Sequence, residues 1–359
     1  MCLTFPFPCR ILIVIYPEEV IPMYYLKNDY SEGCHQRILD ALQRTNLEAT
    51  TGYGLDDYCA EATALIKKTF ACPNADIHFL VGGTQTNATM IAHILRPYEA
   101  AVTVTTGHIA VHESGAVEAT GHEVLTYPAS DGKVTPEIIR QAFIDNPDEH
   151  TVEPGMVYLS DATEVGTVYT KEELKAVYDC CKEKGIYLYL DGARLGAALT
   201  SPENDLRPED LPQLTDAFYI GGTKNGALFG EALVIVNDNL KKHFRTTMKQ
   251  KGGMLAKGRL LGIQFRELFR DDLWFDLARH ANGLAQELQK GLKEKGVKLM
   301  VESPTNQIFP IFSDEEVQRL AETFAFEIWG KNNDGTTTIR LVTSWATEPG
   351  VVDAFLGAI

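Results

Sequence analysis

The chain has 359 residues, a formal net charge of −16, and apolar and charged fractions of 45% and 23%. That length holds one large domain and a second, smaller one. The acidic balance argues against a nucleic-acid or anionic-membrane partner, each of which needs a basic face, and no apolar run approaches the roughly 20 residues that span a bilayer.

Residues 1–22, "MCLTFPFPCRILIVIYPEEVIP", combine four prolines with a six-residue apolar run at 11–16. The run is shorter than a signal-peptide core and no small-residue cleavage site follows it. The segment is expected to be a non-native or disordered extension ahead of a start at Met23. From about residue 75 to 265, apolar runs alternate with amphipathic stretches. Strands are expected at "IHFLV" (77–81), "AVTVTT" (101–106), "HEVLTYP" (122–128), "MVYLS" (156–160), "IYLYLD" (186–191), "DAFYIGG" (216–222) and "EALVIV" (231–236). Nearly continuous apolar runs are what strands covered on both faces require. Helices are expected at 86–95, 135–144 and 171–185, the last opening on a Thr170 cap and closing at Gly185. This alternation implies a mostly parallel α/β sheet. The character changes after about residue 255. A long helical tract (260–296) precedes strand-like pieces at "VKLMVE", "QIFPIF" and "TTTIRLVTSW", with a helix from Asp314 to Ala325. The expected division is a large domain over 23–260 and a small α+β domain over 261–359. The seven cysteines show no CxxC spacing, so they read as reduced thiols of a cytoplasmic protein.

Three short stretches carry chemistry. "FLVGGTQTNATM" puts Gly82, Gly83 and Thr84 between a strand and a helix, where free N–H groups and the helix dipole favour phosphate. It is not GxGxxG, so a dinucleotide is unsupported. "YLYLDGARLGAAL" ends a strand on Asp191, with Arg194 close behind as a fork for a carboxylate or phosphate. "AFYIGGTKNGALFG" places Lys224, preceded by Thr223, one strand later; this order is not that of a P-loop. A phosphate turn, a strand-end acid and a strand-end lysine are together what pyridoxal phosphate needs. The lysine joins its aldehyde, the acid keeps the ring nitrogen protonated, and the helix N-terminus holds the phosphate. His108 and His112 are four apart, but Glu113 follows the second histidine, the reverse of the zinc-protease order, and no metal is expected. His112 reads as a helix-surface residue or one behind the site.

On these stretches the chain resembles the threonine aldolase and β-eliminating lyase family of fold-type I pyridoxal phosphate enzymes, from about residue 23 onward. "YLKNDYSEG" is similar to the family's "RSDT" segment, "GYGLDD" to "VYGED", "GGTQTN" to "SGTMAN", and "TGHIAVHESG" to "AHIxxxExG". "YLDGARLGAA" is close to "HLDGARLFNA", "GGTKNGALFG" to "LSKGLGAPVG", "KGGMLAKG" to "GGGMRQAG", and "IRLVTSW" to "IRLVTHW". The resemblance implies that Lys224 is the Schiff-base lysine, Asp191 the partner of the ring nitrogen, and His108 the residue stacked on the ring. Gly83, Thr84 and Thr223 would hold the phosphate. Arg194, Arg340 and Asn28 would bind the substrate carboxylate. Tyr53 would reach a neighbouring subunit's site, which implies a homodimer or homotetramer with shared sites. Two departures stand out. Glu164 occupies the place of the family's histidine in "ENTH", which meets the substrate's β-hydroxyl, and Leu255 replaces an arginine near the phosphate, leaving Lys257 as the available cation. The implied reaction cleaves the Cα–Cβ bond of a β-hydroxy amino acid, threonine or allo-threonine, to glycine and an aldehyde. β-Elimination, transamination and a catalytically silent binding protein are the alternatives.

Overall fold

The computed structural model describes residues 23–359; the expected extension over 1–22 lies outside the described residues. Seven strands form the central sheet: β1 (Asp76–Leu80), β2 (Glu99–Val104), β3 (Val124–Tyr127), β4 (Glu153–Ser160), β5 (Tyr187–Asp191), β6 (Ala217–Gly221) and β7 (Glu231–Ile235). Their order across the sheet is β1-β7-β6-β5-β4-β2-β3. β7 pairs antiparallel with both β1 and β6, and the remaining pairs are parallel. All seven expected strands are present, each within a few residues of the sequence reading.

The apolar runs are continuous because both faces are covered. In β5, Leu188 and Leu190 enter one buried cluster with Phe218 and Ile220, while Tyr189 enters the other with Tyr219 and Ala217. That is the two-residue alternation of a strand buried on both sides. The covering helices include α1 (Gln36–Thr45), α2 (Asp57–Thr69), α3 (Gly83–Ile94), the single turn α4 (His108–Val111), α5 (Pro136–Asp145) and α6 (Lys171–Lys184). α6 begins with a full capping box between Thr170 and Glu173 and ends at Gly185, whose φ of 74° suits glycine.

The tract expected as one long helix is two, α7 (Arg259–Phe269) and α8 (Leu273–Glu294). Asp271 and Asp272 break it with φ of 56° and 57°. α7 packs on α1 and α2 beside the central sheet, so residue 260 falls inside an element of the large unit. Leu284, Leu288 and Leu292 of α8 form a separate core with Ile308, Phe312, Ile339, Leu341 and Phe355. Its sheet is built on β8 (Thr336–Val342), flanked by Glu327–Lys331, Pro310–Ser313 and Gln307–Ile308. The expected strand 307–312 is split at Phe309, ahead of Pro310. Tyr24–Tyr25 pairs parallel with Phe324–Ala325, which ties the N-terminal segment to this small unit.

One glycine shows how tightly the strand ends approach. A Cβ on Gly192 would lie 1.9 Å from the carbonyl oxygen of Tyr219. Gly192→Ala is therefore expected to lower stability by at least about 2 kcal/mol through forced displacement of β5 against β6. A denaturant midpoint within error of the parent would contradict this.

Candidate active site

The C-terminal edge of the sheet gathers the chemistry. β1 leads into Gly82-Gly83, β2 into His108, β4 into Glu164, β5 ends on Asp191, and β6 leads into Lys224. Reversed β7 begins at that same edge with Glu231, paired with Gly221 and Leu80. Open α/β sheets place their ligand crevice outside these strand ends.

Asp191 is buried and fully bonded. Its Oδ2 accepts from Asn87 Nδ2 at 2.9 Å and the Tyr158 hydroxyl at 2.5 Å, and its Oδ1 accepts from the Ala193 N–H at 2.9 Å. Burial opposes its charge, yet His108 and the donors Tyr158, Tyr219 and Asn87 hold the carboxyl below its ordinary value. It stays an anion, as a partner for a protonated ring nitrogen must. Asn87 Nδ2 also donates to Glu113 Oε1 at 2.8 Å, and His108 Nδ1 meets that oxygen at 2.8 Å. His108 and Asp191 are thus linked through Glu113 and Asn87.

Lys224 lies in a tight turn. The Gly222 N–H donates to Glu231 Oε2 at 2.9 Å, Asn225 Nδ2 donates to the Trp274 carbonyl at 2.7 Å, and Trp274 Nε1 donates to the Gly221 carbonyl at 2.9 Å. Burial and the Arg194 charge push the lysine ammonium down from its ordinary value, against Asp29, Asp191 and Glu231. Its Nζ sits 5.8 Å from the centre of the Tyr30 ring. Burial lifts Glu231 to about 7, despite hydrogen bonds from Thr223 and Gly222.

Arg194 is gripped by an acid that the sequence reading passed over. Its Nε and Nη2 donate to the two oxygens of buried Asp29 at 2.7 and 3.0 Å, and Asn306 Nδ2 donates to the same carboxylate at 3.0 Å. Asn28, expected at the carboxylate, spends its Oδ1 locally on the Tyr30 N–H and the Ser31 hydroxyl. The neighbouring Asp29 instead fixes the guanidinium. Arg340, on β8, lies over Trp329 at 5.3 Å, and its buried Nε has no hydrogen-bond partner among the described residues. Burial and then Arg194 lower its pKa. Two guanidiniums that repel each other, one with an orphaned donor, make a site for an anion.

Glu164 is buried, and its Oε1 accepts from the His108 N–H at 3.0 Å and the Ser160 hydroxyl at 2.7 Å. Burial raises its pKa, against the Ser160 hydrogen bond. Gly83 opens α3, whose cap position makes no side-chain hydrogen bond, and a Cβ on Gly83 would come within 3.0 Å of the Tyr219 hydroxyl. Thr84 is exposed on that first turn. Thr223 Oγ1 accepts from the Gly230 N–H at 3.0 Å. Tyr53 and Lys257 lie elsewhere in the chain. Tyr53 is exposed with φ of 61°, its N–H donates to the Ala256 carbonyl at 3.1 Å, and Lys249 covers its ring at 4.7 Å. Lys257 is exposed one residue beyond Ala256. Among the described residues, no hydrogen bond or ion pair joins either to the Lys224 cluster.

These groups fit pyridoxal phosphate. The α3 amides are uncapped, Asp191 is a held anion, Lys224 is a depressed amine, and His108 stands beside them. Sequence reasoning missed Asp29, Asn87, Glu113, Tyr158 and Glu231 as parts of this site. Asp29, Asn87 and Glu113 stand inside the stretches "YLKNDYSEG", "GGTQTN" and "TGHIAVHESG", where the signal was available.

Among the described residues, no helix is long and apolar enough to cross a membrane. A family model described as "Beta-eliminating lyase" matches residues 35–315. Low specificity L-threonine aldolases of Pseudomonas sp. and Pseudomonas aeruginosa are each 31% identical, over 90% of this chain and 93% of their own. The structure of a Leishmania major threonine aldolase is 48% identical, with a TM-score of 0.92, covering 93% of this chain and 98% of that one. A Thermus thermophilus aspartate aminotransferase shares the fold at 17% identity, with a TM-score of 0.69. The chain belongs to the β-eliminating lyase family of fold-type I pyridoxal phosphate-dependent enzymes.

Proposed function

We propose that the protein is a pyridoxal phosphate-dependent carbon–carbon lyase that cleaves β-hydroxy amino acids of the threonine or allo-threonine type to glycine and an aldehyde. The observation that carries this is the pairing of a depressed lysine in a hydrogen-bonded turn with a buried aspartate anion and two clustered arginines at one sheet edge. When bound, the cofactor supplies an aldehyde for Lys224 and an electron sink for the substrate's α-carbon. Asp191 holds a proton at the ring nitrogen through its carboxylate. Gly83, Thr84 and Thr223 would hold its phosphate, and His108, oriented by Glu113, would lie against its ring.

Arg194 and Arg340 take the substrate carboxylate, with Asn28 at its edge and Asp29 keeping the Arg194 fork in plane. Fixing that carboxylate decides which bond at the α-carbon is aligned for cleavage. Glu164 holds the His108 N–H and with it the start of α4. The active unit is a homodimer or homotetramer in which Tyr53 enters the neighbour's site and Lys257 adds positive charge there. The buried free cysteines, Cys34, Cys59, Cys72, Cys180 and Cys181, support a cytoplasmic setting.

The test is to supply the cofactor-loaded protein with threonine, allo-threonine, serine and alanine and to measure aldehyde, oxo acid and glycine. Equimolar glycine and acetaldehyde from threonine or allo-threonine is the expected result. Oxo acid without glycine would replace the aldol reading with elimination or transamination.

A further inference from the structure

His112 closes the single turn α4, its N–H donating to the His108 carbonyl at 2.9 Å. Its ring lies 5.5 Å from the His108 ring, tilted by 52°. The next residue, Glu113, is buried inward on Asn87 and His108, while His112 is exposed. After burial, the charges felt at its ring are those of His108, Arg340, Lys224 and Arg194, which together hold it below the ordinary histidine range. Those groups come from four places in the fold: α4 itself, β8, the turn after β6 and the turn after β5. The His112 ring therefore lies beside the His108 ring and within electrostatic reach of the carboxylate clamp and the lysine.

One oxygen of the residue expected to meet the β-hydroxyl is already engaged. Glu164 takes the His108 N–H and the Ser160 hydroxyl on one oxygen and is itself favoured toward the protonated form by burial. We propose that His112 is the catalytic base that accepts the proton of the substrate's β-hydroxyl, and that Glu164 acts as a positioning residue behind it. The step balances without a co-reactant. The hydroxyl proton passes to the neutral imidazole, the O–H pair becomes the second C–O bond of the aldehyde, and the Cα–Cβ pair remains on the α-carbon. A proton returned to that carbon yields glycine.

This assignment rests on the aldol reading above, and the experiment separates the two. In His112→Phe, kcat for threonine cleavage is expected to fall by about 10²–10⁴-fold, the range of general acid–base catalysis. Exchange of the α-proton of glycine with deuterated solvent, which has no hydroxyl proton to move, should fall less than tenfold. The acidic limb of the wild-type pH profile should match the His112 titration followed by NMR on the cofactor-free chain, below the ordinary histidine value, and should vanish in His112→Phe. In Glu164→Gln the limb should remain. A His112→Phe protein within threefold of wild-type kcat, or a limb lost in Glu164→Gln but kept in His112→Phe, overturns the assignment. Wild-type protein that exchanges glycine yet releases no aldehyde from any β-hydroxy amino acid removes the aldol reading itself, and this assignment with it.

Discussion

Lys224→Ala should abolish turnover, lowering kcat on the order of 10³-fold or more, because Lys224 is the amine that the turn after β6 brings to this edge to join the cofactor's aldehyde. The visible absorbance of the lysine-bound cofactor should disappear with it. The fold should survive. Burial and Arg194 lower the ammonium's pKa, so in the window between the depressed and the ordinary lysine value the unfolded chain binds more protons than the folded one. Below that window, where both states carry the proton, the cost of the buried charge weighs fully against folding, and alanine removes it. Asp29, which the lysine helps to keep charged, retains Arg194 at 2.7 Å and Asn306 at 3.0 Å. The cofactor-free variant is therefore expected to melt at or above the parent temperature. A variant that retained a tenth of wild-type turnover would end the assignment of Lys224.

Asp191→Ala should separate chemistry from attachment. Lys224 remains, so the lysine-bound absorbance should persist, while kcat falls by roughly 10²–10³-fold, as when a preorganised charge is removed from a developing one. The variant should also lose about 1–3 kcal/mol of stability, since the Tyr158 hydroxyl is left buried without its acceptor and the Asn87 amide keeps only Glu113. Spectra, kcat and unfolding midpoint together check this. Turnover within threefold of the parent would show that the ring needs no anion at that position.

Much of this site was legible because strand ends announce themselves. Asp191 ends a run of apolar residues and Lys224 follows one three positions after its strand, and a polar group just past the end of a strand covered on both faces has one place to go. What was illegible depends on how distant segments meet. Asp29 lies beside Asn28 in a stretch that was read for its carboxylate-binding residue. Only the return of the chain from position 29 to 194 decides which of the two touches the arginine. Glu231 looked like an ordinary strand residue, since the reversal of β7 is a property of the sheet, not of "EALVIV". The two helices at Gln36–Thr45 and Asp57–Thr69 escaped for a local reason in the first case. α1 is capped by the His35 ring in place of a hydroxyl or carboxylate, so its start carries no ordinary signal. The break between α7 and α8 falls at two aspartates in left-handed backbone, which periodicity does not register.

The pairing of Asp29 with Arg194 also sets an electrical stoichiometry. Two guanidiniums and one carboxylate leave a surplus of a single positive unit beside Lys224. One monoanionic head group brings the ensemble to neutrality; a doubly charged acid would overshoot it beside buried Asp29 and Arg194, where unbalanced charge is costly.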